Sequence, residues 1–510
     1  MPRISSRFLA SIVVMPIVCV GVPMTSFAAN WRVESTVQLR ETWTDNVTLQ
    51  PGSLAKSDFV SEFMPGLRIR EDGSRTRLDV DYRPVALFYA DDSGRNDFLN
   101  QLNGFGVGEL VEGHLFVEAH ALISQQVVSA FGPQPTSIAT TTNNRTETRQ
   151  FSLSPYLKGR IGDVAIYEVR ARESLTSTKS GTDADGKGQL LKARISDDPG
   201  SSRLGWIGEF KRQRNDYDSA RDTVASLVRG TLVAYLSPEF WVFGRGGGES
   251  NDFTGERHNH GTYGFGFEWA PTSRSRVSGE VDERYFGHGF RLLARHRFER
   301  FAFEVVATRD DTNVAEQLER NPLGTLFERF SELYSASIAN PEERDDRVRR
   351  LLANTGMPRE SIPHAGYLTG GQLLERRIEA TLAANGIRNT ASFSAFRRHT
   401  IQLTRPIGLD PDVPFDGPEV RETGVSGNFS HQFTTRTSLL VSGAWTRNTG
   451  TGAESPKTIV RRVELVGNTR LGPRTSGSVG LRYARSSADG VNLLSGYRER
   501  AVFGLLSHSF

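Results

Sequence analysis

A chain of 510 residues exceeds the ~250–300 residues at which a single soluble core stops growing, unless it repeats one element around a ring. Hydrophobic residues make up only 37%, and past residue 29 there is no apolar run of about 18 residues, which excludes membrane-spanning helices. A net charge of +3 gives no reason to expect nucleic acid, and the single cysteine, Cys19, leaves the chain beyond it without disulfides or thiolate metal ligands.

The first element is a leader. Arg3 and Arg7 precede an apolar stretch from Phe8 to Pro23, broken by Pro16 and Gly21. Ser26-Phe27-Ala28 then sets small residues at the two positions a signal peptidase reads. Residues 1–28 are therefore expected to be a signal peptide cut after Ala28. Pro16-Ile17-Val18 before Cys19 is a poor lipobox, which speaks against a lipoprotein.

The chain that follows alternates with period two. Leu78, Val80 and Tyr82 interleave with Arg77, Asp79, Asp81 and Arg83. Leu115, Val117, Ala119, Ala121 and Ile123 form another apolar face. Val277, Gly279 and Val281 alternate with Arg276, Ser278, Glu280 and Asp282, and Ile378, Ala380, Leu382 and Ala384 with Arg377, Glu379 and Thr381. Val479, Leu481 and Tyr483 repeat the pattern. Strands with one apolar and one charged face suit either a sandwich or a barrel. Tyr263, Phe265, Phe267 and Trp269 on one face favour the barrel, since that row is an aggregation hazard in water but stable against lipid.

Connections alternate in length. Short ones fall at Asp72-Gly73, Glu112-Gly113, Ile161-Gly162-Asp163, Asp198-Pro199-Gly200, Ser237-Pro238, Pro271-Thr272-Ser273, Glu299, Gly386-Ile387, Thr434-Thr435 and Gly472-Pro473. Longer ones lie mostly between them, near 42–57, 130–145, 178–188, 248–258, 310–370, 405–419, 448–457 and 487–493. The expected fold is all-β: an antiparallel transmembrane β-barrel of about 22 strands, within a range of about 18 to 24, with both ends in the periplasm. The wall occupies 29–312 and 367–510.

Residues 313–366 interrupt it. Leu323, Leu326, Phe327, Phe330, Leu333 and Tyr334 recur at helical spacing. Asn340, Pro341, Glu342 and Glu343 open a second helix with Val348, Leu351 and Leu352 on its apolar face, stopped by Gly356 and Pro358. The register puts this insert in an outer-side loop, as a plug, a cap or a hairpin packed on the rim. At the chain's end, Val502, Gly504, Leu506 and Phe510 share a face. The terminal Phe510 resembles the closing-strand signal that the barrel-assembly machinery reads.

A resemblance covers most of the chain after the leader. Glu41-Thr42-Trp43-Thr44-Asp45-Asn46-Val47, Lys56-Ser57-Asp58-Phe59-Val60, Phe88-Tyr89-Ala90-Asp91-Asp92-Ser93-Gly94-Arg95-Asn96 and Ile123-Ser124-Gln125-Gln126 carry its first part. Phe131-Gly132-Pro133-Gln134, Asn144-Arg145-Thr146-Glu147, Ser154-Pro155-Tyr156-Leu157, Glu283-Arg284-Tyr285-Phe286-Gly287 and Asn385-Gly386-Ile387-Arg388-Asn389-Thr390 continue it. Together they resemble the outer-membrane proteins of the PEP-CTERM/exosortase exopolysaccharide system. The resemblance implies an outer-membrane barrel linked to exopolysaccharide production or export, with polysaccharide and periplasmic export components as partners. It transfers no functional residue.

No motif carries catalysis. Gly244-Arg245-Gly246-Gly247-Gly248 lacks the Lys-Ser/Thr of a phosphate loop. His258 and His260 lack a third ligand, and Asp183-Ala184-Asp185-Gly186 lacks the closing Glu of a calcium loop. No cofactor or metal is expected. The candidate lumen residues are Arg77, Asp79, Asp81, Arg83, Glu280, Asp282 and Arg284, either as a mixed-charge lining that binds or passes an anionic or neutral polysaccharide or as cross-strand ion pairs that fill and stiffen a wet interior. Three functions fit: an exopolysaccharide conduit or structural barrel, a general or nutrient-specific porin, or a barrel-embedded enzyme acting on lipid or polysaccharide. Outer-membrane lipid is the partner common to all three.

Overall fold

The structure is a computed structural model that describes residues 30–179, 185–197, 203–218, 220–320, 325–335, 338, 340–355, 357, 367–368, 370–404, 419–451, 455–489 and 496–510. The leader with its cleavage site after Ala28, the Asp183-Ala184 pair, the Asp198-Pro199-Gly200 turn and Leu323, Gly356 and Pro358 lie outside the described residues.

Twenty-four strand segments and three α-helices follow one another. The first group is β1 (Asn30–Thr44), β2 (Asp58–Asp72), β3 (Thr76–Tyr82), β4 (Val85–Tyr89), β5 (Asp97–Leu99), β6 (Leu102–Val111), β7 (Leu115–Val127) and β8 (Arg145–Ile161). The second is β9 (Ala165–Thr178), β10 (Gly186–Asp197), β11 (Leu204–Tyr217), β12 (Thr223–Ser237), β13 (Phe240–Asn251), β14 (His258–Thr272), β15 (Ser275–Arg284), β16 (Gly287–Arg297) and β17 (Phe301–Asn313). Helices α1 (Val314–Arg320), α2 (Thr325–Tyr334) and α3 (Pro341–Thr355) come next. The wall resumes with β18 (Gln372–Asn385), β19 (Asn389–Gln402), β20 (Glu419–Gln432), β21 (Thr437–Gly450), β22 (Lys457–Arg470), β23 (Thr475–Asp489) and β24 (Tyr497–Ser509).

Each strand pairs antiparallel with its sequence neighbour, apart from one break. Both β3 and β4 pair with β2, while β6 pairs with β3 and β5 with β4. These four segments are two interrupted wall strands, so the barrel has 22 strands, as the turn spacing led us to expect. Pro84 sits at the first interruption and has no N–H to give the ladder. The ring closes where β1 meets β24, from Thr36 opposite Ser509 to Thr44 opposite Ala501, and the Phe510 N–H reaches the Ser35 carbonyl at 3.0 Å.

The outer face is apolar. Leu232 is 72% exposed and Phe265 70%, values that fit contact with hydrocarbon and not with water. Trp31, Trp269 and Phe510 mark the end of the barrel that carries both termini, and Trp43, Phe59 and Phe88 the other. The described short turns lie at the terminal end and most long connections at the opposite one, which assigns the periplasmic and outer rims. One connection departs from the rule: Tyr285-Phe286 is a tight turn on the outer rim. The chain is a transmembrane barrel of the outer-membrane type.

Leu232 lies near the middle of β12, so the Leu232→Arg variant should lose about 2–4 kcal/mol of stability in lipid vesicles. Denaturant titration of the reconstituted barrel checks this. An unchanged midpoint would mean that this face does not meet lipid.

Candidate functional site

Alternation puts all seven candidate lumen residues on the inner face, but in two places. Arg77, Asp79, Asp81 and Arg83 stand on the β3 wall near the periplasmic half. Asp79 accepts from Arg68 Nε at 3.0 Å, Arg83 Nε donates to Asp81 at 2.8 Å, and Arg77 lies 3.4 Å from Asp72. Glu280, Asp282 and Arg284 stand on β15, far around the ring. Arg245 holds Asp282 at 2.5 Å and Glu280 at 3.1 Å. Arg284 is the hub of the outer end of this wall, at 2.7 Å from Glu249, 3.1 Å from Asp310 and 3.2 Å from Asp311.

Between these walls lies the insert. Helix α1 starts at the outer rim: Asn313 accepts from the Glu316 N–H at 2.9 Å, and Glu316 meets Lys211 at 3.4 Å. Helices α2 and α3 then form a hairpin at the opposite end of the lumen. Phe330 and Leu333 of α2 pack on Val348, Leu352 and Met357 of the α3 segment. The side chains of Leu326, Pro341 and Glu342 lie outside the described residues.

Contacts on both sides of the closing seam fix the hairpin near the periplasmic rim. Asp346 lies 3.5 Å from Arg70 and 3.8 Å from Arg32, and Arg349 lies 3.8 Å from Asp79. On the other side of the seam, Ser430 donates to the Thr355 carbonyl at 2.9 Å, Ser438 to the Asn354 carbonyl at 3.0 Å, and Asn385 to the Tyr334 hydroxyl at 2.6 Å. Apolar contact comes from Ala383, Leu440, Val466 and Phe503, all on the inner face of strands that otherwise turn polar side chains inward. These four residues carried the one sequence signal for a plug: an apolar side chain on the wrong face. Phe503 lies opposite the lipid face of Val502, Gly504 and Leu506, where a wet lumen gives it no reason to be.

A second closure has no counterpart in the sequence expectations. The connection 128–144 between β7 and β8 folds inward at the outer rim. It reaches the far wall through Asn448 to the Ala130 carbonyl at 2.7 Å, Arg462 to the Thr136 carbonyl at 3.2 Å and Tyr497 to the Gln134 carbonyl at 2.6 Å. Asn144 pins the loop's own shape by accepting from the Ser129 N–H at 2.7 Å. Ala139 and Val47 complete an apolar pack with Val60, Val85, Leu87 and Tyr89 on the inner face of β2 and β4.

A cavity of about 770 Å³ runs along the inner face of β10 to β17. It extends from Phe253 and Tyr285 near the outer rim to Tyr235 and Trp241 near the periplasmic one. Glu280, Asp282 and Arg284 line it, and Arg77, Asp79, Asp81 and Arg83 do not. The second group lies toward the hairpin instead, with Asp79 in contact with it.

No family model matches the chain, and no curated protein matches it. Among solved structures it is similar to the siderophore receptor PirA from Pseudomonas aeruginosa, at 8% identity and TM-score 0.37, covering 94% of this chain and 80% of that one. It is also similar to OccK1 (OpdK) from Pseudomonas aeruginosa, at 9% and 0.35, covering 94% and 99%. A BenF-like porin from Pseudomonas fluorescens Pf-5 matches at 10% and 0.36, covering 94% and 99%.

Arg284 is shared by three carboxylates at the outer end of the cavity. Arg284→Ala should leave Glu249, Asp310 and Asp311 without their shared cation and raise cation over anion permeability severalfold. The reversal potential in a potassium chloride gradient measures it; an unchanged potential would mean that ions do not pass this wall.

Proposed function

We propose that the chain is a constricted outer-membrane channel of the porin kind, which passes small polar solutes along one side of its lumen. The observation that carries this reading is the cavity of about 770 Å³ beside the β10–β17 wall, lined from Phe253 and Tyr285 to Tyr235 and Trp241, next to loop 128–144 and the α2–α3 hairpin. A lumen closed on one side and left open on the other sets a size limit without closing the pore. Selectivity then comes from the width of the passage and the charges on its wall.

The link to exopolysaccharide production, implied by the sequence resemblance, stands as a second reading. The observation that favours it is the way the hairpin is held. Its Asp346 and Arg349 pairs are long, at 3.5 to 3.8 Å, and each keeps one partner a third or more exposed. Pairs open to water contribute about 0–1 kcal/mol each. A hairpin held so lightly on that side is able to leave and open the lumen to a polymer.

Planar-bilayer recordings test the proposal. The full chain should give small, steady openings. A variant with residues 321–357 replaced by a short Gly-Ser linker should conduct severalfold more. Absence of current in both forms would end the channel reading. Equal currents in both would show that the hairpin does not narrow the pore.

A further inference from the structure

We infer that the solute taken by the β10–β17 passage is a neutral carbohydrate of one or two rings; this rests on the channel reading above. The charges on the passage wall point away from an ion. Six basic and seven acidic side chains line it, so the wall has almost no net charge. Most of these charges are also paired locally, except at the outer end, where Arg284 is shared by three carboxylates. Arg229 lies 2.9 Å from Glu209, Arg245 holds Asp282 and Glu280, Arg291 lies 3.7 Å from Glu280, and Lys211 lies 3.4 Å from Glu316.

A passing carboxylate could use these guanidinium groups only by displacing a carboxylate already bound there. An ammonium faces the same exchange with the opposite sign. Hydroxyl groups do not. Each donates to a free carboxylate lone pair or accepts from a spare guanidinium N–H while the ion pair stays intact. A wall of paired charges is thus a dense set of fixed donors and acceptors with little field.

A second, separate feature gives the ring. At the periplasmic end of the passage Tyr235 and Trp241 face each other across β12 and β13, with ring centroids 6.2 Å apart. Phe243 lies on the same inner face as Trp241, two residues further along β13, and Val233 and Ile207 complete an apolar strip. These are aromatic side chains on the inner face, where a water-filled barrel is normally polar. An apolar strip beside a set of hydrogen-bonding groups matches a pyranose, which has an apolar C–H face and an equatorial rim of hydroxyls. The volume of about 770 Å³ is that of a small-molecule site and too small for a folded polymer.

Swelling of proteoliposomes containing the full chain tests the solute class. Glucose and maltose are expected to enter severalfold faster than gluconate, glucosamine or the zwitterion glycylglutamine. In planar bilayers maltose should block the ion current saturably. The half-blocking concentration should rise about tenfold in Trp241→Ala and return toward the original in Trp241→Phe, which keeps the aromatic face. Faster entry of gluconate, glucosamine or glycylglutamine overturns the inference and leaves the channel standing. Block by maltose that is indifferent to Trp241→Ala overturns it as well. Entry of no solute at all overturns the channel reading along with it.

Discussion

The constraint that governs this molecule is the closed ring of backbone hydrogen bonds. In hydrocarbon every N–H and C=O of the wall must find a partner within the protein, and a sheet achieves this only by meeting itself, as β1 and β24 do. Closure with 22 strands fixes a lumen too wide for the wall's own side chains to fill. Buried carboxylates mark the closing seam. Glu499 is bonded by Arg482 at 2.9 Å and Thr44 at 3.2 Å, and Glu62 is bonded by Thr42 at 3.2 Å, so four neighbouring strands are tied by side chains as well as by the ladder.

The wide lumen is filled by two segments of different chemistry. Loop 128–144 uses its own backbone carbonyls as acceptors for Asn448, Arg462 and Tyr497, so its reach across the ring depends on conformation more than on residue type. The hairpin uses an apolar ridge, Phe330, Leu333, Val348 and Leu352, set on an apolar spot of the wall, with ion pairs on the other side. Burying that ridge is what makes the hairpin fold where it does, since α2 and α3 are too short to be stable alone in water. Neither segment lines the cavity along the β10–β17 wall, to which the insert contributes Glu316 of α1.

Much of the wall was legible in the sequence for a physical reason. A lipid-facing strand is under constraint at every second residue, and a short periplasmic turn must reverse the chain with few residues, as at Gly113 and Gly162, both with positive φ. These constraints are local, so pattern alone recovers them. The interruption at Pro84 and the tight Tyr285-Phe286 turn were missed because neither disturbs the alternation. The candidate lumen residues share the inner face by alternation, but sequence could not separate Arg77, Asp79, Asp81 and Arg83 from Glu280, Asp282 and Arg284. That division depends on which side the hairpin takes. The inward fold of loop 128–144 depends on partners more than 300 positions away in sequence, and nothing local announces it. The passage residues Tyr235, Trp241 and Phe243 had a signal that was readable in principle, since they are aromatic on strands whose lipid face is already taken by Leu232, Val242 and Leu236.

The central claim is that the segment between β17 and β18 enters from the outer rim and reaches the periplasmic one. The chain's only cysteine is Cys19, in the stretch expected to be a cleaved leader, so Cys19→Ser beside an introduced cysteine pair removes any background. Ser438 Oγ lies 3.0 Å from the Asn354 carbonyl where α3 meets β21. In the double variant Asn354→Cys/Ser438→Cys, oxidation in intact outer membranes should give a disulfide in most molecules and leave neither thiol open to a membrane-impermeant reagent added outside. A thiol at position 354 that stays unpaired and is labelled from outside would place α3 at the cell surface and contradict the account.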